Sequence, residues 1–165
     1  MTLAASIALL SAGIALYVAI LSRQFSRAPG WQDQRYFALA AVAVSAYALL
    51  NIPTTAPILS VGGVVTCSRI QFALAALHTF AWLKYSTALV GRAGSRTDRM
   101  LLPVLAVLGA VGALSRAFVA GDVYANGFAP LGIVYRSART TLAGDLAYGV
   151  VLGLLIVPIS RFFRA

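Results

Sequence analysis

Apolar residues run almost unbroken through five stretches of this chain, approximately Thr2 to Leu21, Tyr36 to Ile52, Ser68 to Leu89, Met100 to Val119 and Thr140 to Ile159. Polar residues collect in the short segments between them. Each stretch approaches the ~20 residues that a helix needs to cross a hydrocarbon core of about 30 Å. The stretches are continuously apolar, whereas barrel strands alternate over roughly ten residues around a polar lumen, so helices are expected and a barrel is not. The pattern predicts an all-α fold: one polytopic bundle of five transmembrane helices filling residues 1–165.

Turn-forming residues punctuate the gaps: Pro29-Gly30, Pro53 and Pro57, Gly91 through Gly94, and Asn126-Gly127 with Pro130. No separate soluble domain fits between them. The connection from Ala120 to Arg139 holds Tyr124, Phe128, Leu131, Ile133, Val134 and Tyr135, too apolar for a solvated loop, and is expected to lie at the interface or fold back over the bundle. Ala4, Ala8, Ala12 and Ala15 in the first stretch, and Gly149-Val-Val-Leu-Gly153 in the fifth, are small residues of the kind that let helices approach closely in lipid.

Composition sharpens this picture. The chain is 61% apolar and only 10% charged, with mean hydropathy +0.88, far from a soluble domain. Its net charge of +9 would suggest nucleic acid in a soluble protein, but here the basic residues follow the gaps. Arg23, Arg27, Arg35, Lys84, Arg92, Arg96, Arg99, Arg161 and Arg164 fall on one side of the bundle, and Arg69, Arg116, Arg136 and Arg139 on the other, while Asn51 to Ser68 carries no charge. By the positive-inside rule the N-terminus is outside and the C-terminus cytoplasmic, and nucleic acid is not expected as a partner. The first stretch has no basic residue before it and reads as a retained crossing rather than a signal peptide. A single cysteine, Cys67, excludes an intrachain disulfide and a thiolate zinc site.

Ionisable groups inside spans cost about 2.5 to 3.5 kcal/mol at the centre on insertion scales, which makes His78 and Asp145 the first candidates for function. Helical spacing sets Gln71, Ala75, His78, Trp82 and Tyr85 on roughly one face, and Thr141, Asp145 and Tyr148 on another. One reading gathers Arg69, Gln71, His78, Trp82, Asp145 and Tyr148 around a small ligand between helices. The other has Asp145 paired with Arg69 or Arg116, His78 bonded to a neighbouring helix, and the aromatics in an interface belt. One His, one Asp and no Glu within spans make a poor proton relay. No paired carboxylates, metal-ligand cluster or nucleophile with its base is evident, so the chain reads as non-enzymatic, with no metal or cofactor implied.

Arg35-Tyr36-Phe37, Ser68-Arg69-Ile70-Gln71-Phe72, Ala81-Trp82-Leu83-Lys84-Tyr85 running to Leu89-Val90-Gly91-Arg92, and Pro130-Leu131-Gly132-Ile133-Val134-Tyr135 together resemble the N-terminal seven-transmembrane sensor region of bacterial histidine kinases. The resemblance covers about two thirds of the chain. It implies a sensory input module of two-component signalling in the bacterial inner membrane. Such a module binds a small or lipophilic signal and relays a helix shift, past a hinge at Pro158, to a cytoplasmic output domain or partner protein. The family has seven spans where five are read here, and its output domain would follow Ala165, so under this reading the chain is a truncated or divergent sensor. A structural subunit of a larger membrane complex is the second reading, a carrier component the third. The bilayer is the expected partner throughout, and a homodimer stays open.

Overall fold

The computed structural model describes residues 2–55, 59–91, 96–128 and 133–163. Pro57, Arg92, Gly94, Pro130, Leu131, Gly132 and Arg164, which entered the sequence reading, lie outside the described residues. The chain forms α1 (Leu3–Phe25), α2 (Gln34–Thr54), α3 (Val61–Leu89), α4 (Arg96–Leu114), β1 (Val119–Phe128), β2 (Ile133–Thr140), α5 (Leu142–Gly153) and α6 (Ile156–Phe162).

Local chemistry sets the helix ends. Thr2, Ser60 and Thr141 each accept a bond from the backbone N–H three residues on, at 3.2, 3.2 and 3.0 Å, and so start α1, α3 and α5. Gly30 and Gly91, at φ +80° and +64°, follow α1 and α3 in the left-handed conformation that a side chain disfavours. Four stretches are long and apolar enough to cross a membrane: α1, α2, α3, and α5 with α6 taken together. The predicted fourth span is shorter than expected, since α4 ends at Leu114 and carries Arg96, Asp98 and Arg99 at its start.

The helices pack around α3. Val64, Phe72, Ala81 and Leu83 on it are wholly buried. Cross-bonds give the directions: Ser45 Oγ donates to Ala12 O (2.9 Å), Gln71 to Asn51 (2.8 Å), and Arg69 to Ala113 O (2.6 Å) while Thr87 meets Asp98. Successive helices α1 to α4 are therefore antiparallel, and α5–α6 runs parallel to α3, with Thr79 against Val151 and Ser86 against Arg161. Ala5, Ala8, Ala12 and Ala19 seat α1 against Ala40, Ala43 and Ala48 of α2, the close contact that small residues permit. Ala4 and Ala15 sit at the edge of that seam, half-buried. Gly149 and Gly153 are exposed, and among the described residues nothing lies within 4 Å of where their side chains would start.

Three expectations are refined. The fold is mostly helical and broadly fits the all-α expectation, with the addition that β1 and β2 form a small antiparallel hairpin in which Asn126 and Gly127, expected in a turn, pair with Tyr135 and Val134. β-Branched and aromatic residues at Val119, Val123, Tyr124, Ile133, Val134 and Tyr135 suit that pairing. The hairpin folds over the end where α3 begins: Arg136 donates to Leu59 O at 2.7 Å, and the Ala138 N–H to Ser68 Oγ at 3.4 Å. Second, the uncharged Asn51 to Ser68 connection is mostly helix, with α2 reaching Thr54 and α3 starting at Val61. Third, the fifth stretch is broken at Leu154-Leu155. Pro158 has no N–H to give the Leu154 carbonyl, and Val157 N–H bonds it instead at 3.2 Å, tightening the turn.

Candidate functional site

The polar and aromatic stripe of α3 faces α2. Gln71 Nε2 donates to Asn51 Oδ1, His78 Nδ1 lies 3.2 Å from Ala40 O, and Trp82 and Tyr85 contact Phe37 at ring separations of 5.6 and 5.4 Å. Gln34 donates to the Tyr85 hydroxyl at 3.1 Å. Phe162 of α6 packs edge-on against Trp82 at 6.0 Å, so an aromatic cluster closes the end of the stripe nearest the α1–α2 connection.

Above that cluster, α1, α2, α3, β2 and the α5–α6 break line an open-sided cavity of about 510 Å³. Its size falls within the ~300–1,000 Å³ of small-molecule sites. Ala8, Ala43, Ala48 and Ala75 leave the space because they have no bulk, and α1 packs on α2 and not to a comparable extent on α5. Leu152, just before the helix break, and Leu155, within it, form one wall, while Ile133 and Tyr135 of β2 reach in from the hairpin.

Among the described residues no charged side chain lines the cavity, and the polar ones are Ser11, Tyr47, Asn51, Thr55, His78, Thr79 and Tyr135. Their bonding determines what they offer. A carbonyl only accepts, so the contact with Ala40 O assigns the proton of neutral His78 to Nδ1 and leaves Nε2 as an acceptor. Asn51 uses Oδ1 for Gln71, which leaves its amide N–H groups as donors. Among the described residues, the hydroxyls of Tyr47 and Tyr135 have no hydrogen-bond partner. The cavity thus presents the Asn51 amide as a donor, His78 Nε2 as an acceptor, and hydroxyls that can do either, in an apolar setting.

The six residues gathered from sequence do not converge. His78 lines the cavity, Gln71 stands behind Asn51, and Trp82 belongs to the aromatic cluster beneath. Arg69 faces α4 and donates to Ala113 O, with its Nε buried and unbonded. Tyr148 packs edge-on against Phe72 at 4.6 Å, within the core that Phe118 shares. Asp145 is exposed in the first turn of α5, where it accepts from Thr140 and its charge suits the helix start. It pairs with neither Arg69 nor Arg116; ion pairs form instead between Arg139 and Asp122 and between Arg161 and Asp98.

Asp98 was missed from sequence. Arg161 Nη2 meets its Oδ1 at 2.8 Å, with the two side chains only 12% and 6% exposed. Thr87 bridges them, donating to Asp98 Oδ2 at 2.6 Å and accepting from Arg161 Nη1 at 2.7 Å. This latch ties the end of α6 to the start of α4 and the end of α3. One element, α5–α6, therefore forms a wall of the cavity and, one to two turns on, the latch. Among the described residues no three His, Cys, Asp or Glu side chains cluster to hold a metal. No family model matches the chain, and neither a curated protein nor a solved structure matches it.

Proposed function

We propose that the chain is a membrane-embedded sensory input module of a bacterial signal-transduction protein, non-catalytic itself, crossing the inner membrane five times with its N-terminus outside. The observation that carries this reading is that the cavity wall and the buried latch belong to the same broken helix. A neutral lipophilic molecule whose carbonyl accepts from Tyr47, Asn51 or Tyr135, or whose hydroxyl donates to His78 Nε2, occupies the space between α1–α2 and Leu152–Leu155. Differential binding to two packings moves an equilibrium between them only as far as the two affinities differ. The ligand favours the packing in which α5 and α6 stand further from α2. The break at Leu154-Leu155 absorbs the change, and α6 carries it to Arg161 and the cytoplasmic end. The alternating directions of α1 to α4 and the uneven spread of basic residues support the five-span topology, with α4 shortened by its charged first turn.

The test uses 1-aminoanthracene, a neutral fluorophore that brightens in dry pockets, with the protein in micelles. Saturable binding is expected for wild type, and at least tenfold weaker binding for Ala75→Phe, which fills the cavity floor. Spin labels on Gln32→Cys and Phe163→Cys, in a Cys67→Ala background, should report a changed distance when the probe binds. Binding without a distance change removes the relay; no saturable binding removes the cavity as a ligand site.

A further inference from the structure

A second recess lies at the opposite end of the bundle from the hairpin, on the outer surface of α1 and α2. Ala19 and Ala38, both buried, bring the two helices together there, and the larger Leu16, Ile20, Leu39 and Val42 flank the seam to leave an apolar trough of about 490 Å³. Arg23 in the last turn of α1, Arg27 in the connection and Arg35 in the first turn of α2 stand at its mouth. Trough and guanidiniums form one continuous recess rather than two neighbouring features.

Neutral groups hold two of these arginines in place. Arg23 donates to Ser26 Oγ at 3.4 Å, and Arg35 donates to the Tyr36 hydroxyl at 3.1 Å with its guanidinium 4.8 Å from the Tyr36 ring centre. The nearest acid in sequence, Asp33, makes no ion pair with them, and neither do the other carboxylates of the described residues. Three positive charges are thus gathered, without a counter-charge among the described residues, above a channel lined by apolar side chains.

We infer that this recess binds one anionic phospholipid, its phosphate on Arg23, Arg27 and Arg35 and an acyl chain along Leu16, Ile20, Leu39 and Val42. Guanidinium forks match phosphate oxygens in pairs, which favours phosphate over a simple point-charge partner. A free phosphate would use the arginines and leave the trough empty; a zwitterionic lipid would fill the trough and leave the charge uncompensated. The site requires that α1 and α2 lie in a bilayer and requires nothing of the cavity between α1, α3 and α5, so either can fail alone.

Native mass spectrometry of the full chain, released from micelles holding equimolar phosphatidylglycerol and phosphatidylcholine of identical acyl chains, tests the site. One retained phosphatidylglycerol is expected. R23Q/R27Q should lower the bound fraction at least tenfold, whereas K84Q/R96Q, with the same charge loss at the same end of the bundle, should change it less than twofold. Val42→Phe, which obstructs the trough at a half-exposed position, should lower it with every charge in place. Equal retention of both lipids, equal loss from both charge variants, full binding by Val42→Phe, or displacement of the lipid by equimolar glycerol 3-phosphate would each overturn the assignment.

Discussion

Arg161→Ala is expected to destabilise the bundle by about 3–5 kcal/mol, the range for removing one partner of a buried ion pair. The Asp98 carboxylate is only 6% exposed, and Arg161 brings it both a full opposite charge and the shared Thr87 hydroxyl. Removing the guanidinium retains the desolvation cost of the carboxylate while taking away much of what offsets it. Neutralising both partners removes that cost, so Asp98→Asn with Arg161→Met should be closer to wild type than either single variant, as replacement of buried pairs by neutral groups often is. Denaturation midpoints of wild type, Arg161→Ala, Asp98→Asn, Arg161→Met and the double variant in micelles check this. If Arg161→Ala matches wild type, the pair is solvated and holds nothing. In the spin-label experiment the same variant should broaden the Gln32–Phe163 distance without any probe, because α6 loses its tie to α3 and α4. An unbroadened distance would mean that aromatic packing of Phe162 on Trp82 holds α6 by itself.

Much of this arrangement follows from short-range rules, and the parts that do not are the long-range pairings. The α3 stripe from Gln71 to Tyr85 was legible because residues three and four apart share a helix face, and that face meets α2. The same arithmetic separates Arg69 from it: two residues at about 100° each put Arg69 roughly 160° from Gln71 round the helix, toward α4. Tyr47 and Asn51 were overlooked because neutral polar side chains barely alter hydropathy, although their i, i+4 spacing on α2 was a usable signal. Asp98 stood between Arg96 and Arg99 and resembled part of a solvated loop; its partner is 63 residues away, beyond any local pattern. The hairpin was half legible, since an apolar segment between predicted spans had to fold back on something, but the pairing of Asn126 and Gly127 within the strands depends on register.

The hairpin's root sets the second large effect, which is Gly144→Ala. A Cβ at Gly144 would stand 2.0 Å from Phe118 O and 2.9 Å from its carbonyl carbon, and these are backbone atoms that no rotamer change can move aside. The backbone there is held from several directions: Thr141 N–H donates to Phe118 O at 3.1 Å, Thr141 Oγ1 to Ala117 O at 2.6 Å, and the Phe118 ring lies 5.0 Å from Phe72 in the core. One methyl must therefore push α5 off the start of β1, at a cost of about 1–3 kcal/mol or more. Gly112→Ala meets the Phe72 ring, a side chain rather than backbone, and should cost less, while Gly149→Ala enters open space and should gain up to about 1 kcal/mol from helix propensity. Denaturation midpoints in the order Gly149→Ala, Gly112→Ala, Gly144→Ala, from highest to lowest, are expected; a wild-type midpoint for Gly144→Ala would mean that α5 does not approach Phe118 so closely. The contact also bears on the relay. With α5 pinned at Gly144 and α6 latched at Arg161, the freedom of the last two helices is confined to the break at Leu154-Leu155, where Leu152 and Leu155 form the cavity wall.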